Sequence, residues 1–428
     1  MTKAVFATVI AVLAAAVVII PAPSAPQFRQ AAGVNPPSVS VCPVEEGSGR
    51  STTIGVVATV NGSGQFTAFA GGASAGVAQF ETGASGSVAI PVVEVAAIGA
   101  AAGLVELPNR EAASASMFLG TESVAHESCL AVPASQTLLA GGSTMSGQDF
   151  DIQLMNPYSG EAVVDLVVRS ESGIETASQL RAISVPARSS FVIDMDELLP
   201  GRESLAVVVE TTRGSVMAVG RLAVGSDGAL WNAVAPAPFW FMPIPSGGVG
   251  EVVISTGVSA DVEYRVDLYG SDGLVEAFEA GVIPGRGAVV IDAGAAGVGA
   301  SAIRVESAQP VAAFLRNIDG EGVALTAGST DPASRWLLPG AGLGPGGTGR
   351  MVILNTGLDE ATVIVTALRD ASVAKQFVVP AGSVMEFSSV EGNADGYSLK
   401  GEGLLVPMWV TNTGTARAYS AGVPLIDE

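Results

Sequence analysis

Few residues in this chain could carry out covalent chemistry. Gly72-Ala73-Ser74-Ala75-Gly76 has the G-x-S-x-G spacing of a nucleophile elbow, in which a serine on a strand-to-helix turn attacks an acyl carbon. His126, the only histidine, follows it, with Glu81, Glu94, Glu106, Glu111 and Glu122 between, so a Ser–acid–His order can be written. The elbow requires an α/β sheet, whereas this match sits in a Gly/Ala/Ser-rich loop of a chain that reads as all-β. An exported serine hydrolase using Ser74 and His126 is therefore the lowest of three functional readings, and His126 is expected to have an ordinary surface or capping role. Ser372-Val-Ala-Lys375 has S-x-x-K spacing, but it falls at a hairpin tip and lacks the companion S-D-N and K-T-G motifs.

Asp319-Gly320-Glu321, Ser226-Asp227-Gly228 and Ser271-Asp272-Gly273 could each offer oxygens to calcium. Calcium takes about six to eight oxygens, and Asp-Gly is first of all a turn-former, so turns are expected. With 41 acidic residues, no carboxylate pair for glycoside cleavage can be selected. Phe239-Trp240-Phe241 is the densest aromatic cluster, with Trp231 nearby and Trp336 at the matching repeat position. If exposed, Phe239, Trp240 and Trp336 would make a sugar-stacking platform or partner contact. The stronger expectation is that they pack in the core or between units, and Trp409, in the third-landmark strand, is expected in the core as well. No catalytic residue, cofactor or metal site is expected.

The elements that would position these side chains repeat. VILNTGLDEATVIVTAL (352–368) is matched by VVISTGVSADVEYRVDL (252–268) and by IQLMNPYSGEAVVDLVV (152–168). Each is an apolar run, a turn (Asn156-Pro157, Thr256-Gly257, Thr356-Gly357) and a second apolar run. A second landmark places Pro186, Pro284 and Pro380 between two β-type runs, where a sheet tolerates proline. A third runs through 204–224, 301–319 and 397–414, and a fourth through FWFMP (239–243) and RWLLP (335–339). VELPNREAASASMFLGTE (105–122) marks a divergent first copy. Four units follow: 40–133, 134–236, 237–332 and 333–428.

Within a unit, Val262, Tyr264, Val266 and Leu268 alternate with Glu263, Arg265 and Asp267, the period-two pattern of a half-buried strand. The same phase is expected for Val164, Leu166 and Val168 and for Ile364, Thr366 and Leu368. About seven short strands per hundred residues predict an all-β chain of tandem immunoglobulin-like β-sandwich units. The alternative, a β-propeller, would show blade periods of about 40 to 50 residues, which the sequence lacks.

Hydrophobic residues are 48% of 428 and charged residues 14%, enough apolar material for several cores. The net charge of −21 repels phosphates, so no nucleic acid partner is expected. Residues 1–39 read as an export segment: Lys3 precedes an uncharged apolar run over 4–20, followed by a Pro-rich stalk. Pro23 and Pro26 disfavour cleavage after Ala22 or Ala25. An uncleaved apolar anchor helix, the only membrane contact, is therefore expected over a cleaved signal. Cys42 and Cys129, an even count in an exported chain, are expected to bridge the ends of the first unit.

Together the anchor, Cys42-Pro43, NPYSGEAVVDLVV, ILNTGLDEATVIV, the VPA segments and RWLLPG resemble a family of exported, N-terminally anchored actinobacterial repeat proteins of unknown function. The resemblance implies an extracytoplasmic protein working near envelope glycan assembly and supplies no catalytic residues. The reading is a non-catalytic structural or interaction protein of the cell envelope, anchored or secreted, whose partner is an envelope protein or cell-wall glycan. A glycan-binding module array is the second reading.

Overall fold

The structure, a computed structural model, describes residues 38–45, 51–83, 86–96, 99–108, 111–120, 123–131, 133–246, 250–270, 275–296, 300–319, 322–341, 349–368, 373–388, 396–413 and 416–425. The anchor and stalk, Ser372 and the Ser271-Asp272-Gly273 corner lie outside them, as do Gly320 and Glu321. The chain divides at Pro36/Pro37, and Pro37–Glu428 is one compact unit.

Val, Ile and Thr at alternate positions make almost every element a strand. The first sandwich comprises β1 (Ser38–Pro43), β2 (Ser51–Ala58), β3 (Ser63–Ala70), β4 (Ala73–Glu81), β5 (Ser87–Pro91), β6 (Ala102–Leu107), β7 (Ala112–Leu119) and β8 (Val124–Ser128). Its sheets run β1-β6-β3-β4 and β5-β2-β7-β8. The second has β9 (Gln136–Gly142), β10 (Gln148–Asn156), β11 (Ala162–Ser170), β12 (Gly173–Ile174), β13 (Ile183–Val185), β14 (Ser189–Asp194), β15 (Leu205–Arg213), β16 (Met217–Val224) and β17 (Asp227–Asn232). Its sheets repeat that order, with β12 and β13 sharing the fourth place.

The third sandwich has β18 (Ala237–Pro243), β19 (Glu251–Thr256), β20 (Val262–Gly270), β21 (Val275–Ile283), β22 (Ala288–Asp292), β23 (Ala300–Asp319) and β24 (Gly322–Ala327). The fourth has β25 (Ala333–Pro339), β26 (Gly349–Asn355), β27 (Ala361–Ala367), β28 (Val373–Val379), β29 (Val384–Ser388), β30 (Gly396–Thr413), β31 (Ala416–Ala421) and β32 (Val423–Pro424). Here one long strand does the work of two. β23 pairs with β18 and β20 through its first half and with β19 and β24 through its second. β30 behaves alike.

The β-sandwich expectation is met, in place of a propeller. The strand order is not that of an immunoglobulin domain, where the first strand joins the second and the sixth joins the seventh in the same sheet. Here the first strand joins the sixth and the seventh joins the second, in different sheets.

The repeated turn has a physical cause that corrects its alignment. Asn156 is buried, and its amide donates to the carbonyls of Gly160 (2.8 Å) and Val185 (3.0 Å), tying the turn to the Pro186 segment. Asn355 does the same with Asp359 (2.9 Å) and Val379 (3.0 Å), beside Pro380. Asn355, not Thr356, is therefore the equivalent of Asn156. A one-residue slip turns a strand over, so Val363 and Val365 are buried in β27 while Ile364 and Thr366 are only half-buried, against the expected phase. In the second and third sandwiches the phase is as expected through Val164, Leu166 and Val168 and through Val262, Tyr264 and Val266.

Candidate functional site

Each sandwich ends in a strand that leaves its own sheet open toward a neighbour. β8 packs on β17, β17 on β24, β24 on β31 and β31 on β8, so the last long strand of each sandwich contributes to a closed ring. At one end of that ring sits Asp227, the first residue of β17 and 2% exposed. Its carboxylate accepts the backbone N–H of Val124 at 3.3 Å and of Val323 at 3.0 Å. The N–H groups of Gly228 and Arg417 also bond to it. One side chain thus satisfies an amide from every sandwich. Burial raises its pKa and the amides pull it back down. The Ser226-Asp227-Gly228 corner is therefore a backbone cap, its oxygens already taken.

Arginine clasps bind the seams between neighbours. Arg221 pairs with Glu45 at 2.6 Å between sandwiches one and two. Arg316 donates to the Gly141 carbonyl at 3.0 Å between two and three. Arg350 donates to the Ser246 carbonyl at 2.6 Å between three and four, and Arg335 pairs with Glu111 at 3.0 Å between four and one.

The seam between the first and second sandwiches opens into a cleft of about 260 Å³, lined by Glu45, Phe118, Ser123, Asp149, Asp151 and Arg221. Period two explains it. Met155, Gln153, Asp151 and Asp149 share one face of β10, opposite Met217, Val219, Arg221 and Ala223 of β16. The apolar end of this face packs on Val41, Ala102 and Phe118, and the acidic end is left open. Burial, outweighing the pull of Arg221, raises the Asp151 pKa, and the carboxylates of Asp194, Asp196 and Glu45 add to the rise. The cleft can accept N–H donors or cations, and no imidazole or thiol lines it.

Ser74 and His126 are not brought together. Ser74 is exposed on the edge strand β4, its hydroxyl 3.5 Å from the Gly76 carbonyl. His126 is buried on β8, in the opposite sheet, with Nε2–H donating to the Pro339 carbonyl at 3.0 Å. It is thus a seam residue and not a surface one. Nothing in its local sequence signals this, because the residues that cover it come from the fourth sandwich.

Trp240 and Trp336 are 2% and 0% exposed, which corrects the glycan-platform reading for both. The Trp240 indole donates to the Val311 carbonyl at 2.7 Å and that of Trp336 to Ala333 at 2.9 Å, so each ring is a core wedge with its polar atom satisfied. Phe239, 41% exposed, points the other way along the same strand. Trp231, stacked on Phe150 at 5.6 Å, and Trp409, stacked on Tyr397 at 5.3 Å, are also core. Cys42 and Cys129 form a disulfide, tying β1 to the residue after β8. Such a bond is compatible with an extracytoplasmic location. Among the described residues, no helix is long and apolar enough to cross a membrane.

No curated protein matches the chain. Among solved structures, "Crystal Structure of Thermotoga maritima 1070" is 19% identical over 22% of this chain and 96% of that one, at a TM-score of 0.19. The Pseudomonas aeruginosa CupB2 chaperone is 10% identical, over 43% and 95%, at 0.13. The pilus backbone RrgB from Streptococcus pneumoniae is 12% identical, over 48% and 80%, at 0.13. None of the three superposes enough of the chain to bear on its fold or function. Residues 120–322, from the β7–β8 hairpin to the start of β24, match the model of a "Family of unknown function (DUF5719)".

Proposed function

We propose that the chain is a non-catalytic structural or interaction protein of the cell envelope, held outside the membrane by its N-terminal apolar segment or secreted. It would assist envelope glycan assembly through a protein partner. The observation that supports this most is the Asp227 cap. A buried carboxylate that gathers amides from four sandwiches is invested in holding four surfaces in a fixed relation, which a scaffold needs. The separation of Ser74 from His126 removes the assembly that favoured a hydrolase, and the burial of Trp240 and Trp336 removes the main support for a glycan-binding array.

The test combines two assays on the exported protein. Crosslinking at the cell surface should capture a defined envelope protein whose purified form binds saturably. Retention on purified cell-wall glycan should be weak and unchanged by Phe239→Ala. Turnover of an ester substrate that disappears in Ser74→Ala would overturn the proposal.

A further inference from the structure

The four seams of the ring are not equivalent. The chain itself crosses three of them, between β8 and β9, β17 and β18, and β24 and β25. Among the described residues no segment joins the fourth sandwich back to the first, so that seam rests on contacts alone. Two apolar patches fill it: Val57 and Ala113 against Leu337, Leu368 and Leu425, and Met117 and Val124 against Ala416 and Ala418. Ser128 Oγ donates to the Ala421 carbonyl at 2.9 Å across it.

His126 lies in this seam, at a position that the other repeats keep free of imidazole. Counted from the hairpin pairs Gly120–Ser123, Val224–Asp227, Asp319–Gly322 and Thr413–Ala416, it corresponds to Leu230, Leu325 and Tyr419. The Asp227 cap supports that count, since it gathers the equivalent amides 124, 228, 323 and 417. All four side chains are buried. The His126 ring spends its Nε2–H on Pro339, and its buried Nδ1 has no partner. Gly340, at φ +72°, bends the chain over the ring, and a Cβ there would come within 2.9 Å of Nε2.

Among the described residues, no carboxylate stands ready to receive a second ring proton. Glu111 is engaged by Arg335 across the same seam. Glu127, on the same strand, faces the other way and accepts from the Asn232 amide at 3.0 Å. Asp227 caps backbone, β31 offers Arg417 and Tyr419, and the β7 neighbours Met117 and Ala115 do not titrate. A proton on Nδ1 would put a charge without an acceptor into an apolar seam, and desolvation already lowers the imidazole pKa to about 4.

We propose that the seam between the first and fourth sandwiches is an acid-operated latch. Charging His126 opens the ring there and exposes the apolar face formed by Val57, Leu337, Leu368 and Leu425. The other three seams stay closed because linkers cross them and no imidazole lies in them.

Hydrogen exchange of the full chain, read by mass spectrometry and normalised for intrinsic rates, tests this. With the imidazole at about 4 in the closed seam and 6.5 when free, opening seen in β8 and β25 should rise about 20-fold from pH 7 to pH 5. The seam between β9 and β19 should not change. His126→Leu, the residue of β17 and β24, should remove the rise. An equal rise at every seam, or one that survives in His126→Leu, overturns the latch. If that variant does not fold, the single imidazole of the native chain can be titrated by NMR. A midpoint near 4 supports the latch, and one near 6.5 with unchanged exchange overturns it.

Discussion

The carboxylate of Asp227 accepts the backbone N–H of Val323 at 3.0 Å, joining two strands from different sandwiches at the end of a ring that Val124 and Arg417 complete. Asp227→Ala would leave buried amides without an acceptor, and each such loss costs about 1–3 kcal/mol. Unfolding in guanidinium should show a loss of about 3 kcal/mol or more, and Asp227→Asn a smaller one. An unchanged midpoint for Asp227→Ala would mean that water replaces the cap.

Asn355 ties the repeated turn to the Pro380 segment by hydrogen bonds to Asp359 and Val379. Asn355→Ala should cost roughly 2–3 kcal/mol by the same reasoning. Thr356→Ala, one residue along, should cost less, because Thr356 Oγ1 makes only an exposed bond to the Leu404 carbonyl. Thermal unfolding of the two variants separates these alignments.

Burial raises the pKa of Glu127 well above its ordinary value, and one of its oxygens has no partner. A carboxyl kept neutral in the fold contributes stability below the unfolded value near 4.5 and loses it as pH rises through the folded pKa. Glu127→Gln should therefore raise stability at pH 7 and leave it little changed near pH 4. His126 has the opposite sign. Its folded pKa is lowered, so its share of stability is full at neutral pH and is lost as pH falls from about 6.5 to about 4. That share amounts to roughly 3 kcal/mol. Denaturant midpoints of the native chain and the Glu127→Gln and His126→Leu variants across pH 4–8 check both signs.

Trp240 and Trp336 each fill a fully buried site, so Trp240→Ala or Trp336→Ala should cost about 3–5 kcal/mol. Acrylamide should quench neither ring in the folded protein. Strong quenching would return both to the surface and revive the glycan platform.

The disulfide closes a loop of 87 residues, for which the chain-entropy account gives roughly 4–5 kcal/mol. Reduction, or the Cys42→Ser, Cys129→Ser double variant, should lower stability by up to that amount and loosen β1 first.

Local signals made the sandwiches readable. Pro186, Pro284 and Pro380 mark the same bend, period two marks the strands, and an even cysteine count in an export context suggested the bridge. The slip between Thr356 and Asn355 was hidden because Thr-Gly repeats in the third and fourth units, while the side chain that organises the turn is one residue earlier. The strand order could not be read, since β23 and β30 look like single strands but serve two sheets. The ring was invisible for a different reason. Asp227 reads as a turn residue, and what makes it a hub are amides about a hundred residues away on either side. His126 likewise gains its meaning only from Pro339 and Gly340.

The four sandwiches close on one another and do not trail as a string. Small-angle X-ray scattering from residues 37–428 tests it directly. A single compact body of this length has a radius of gyration of about 21 Å. The closed ring predicts a value close to that, and a value roughly twice as large would contradict it.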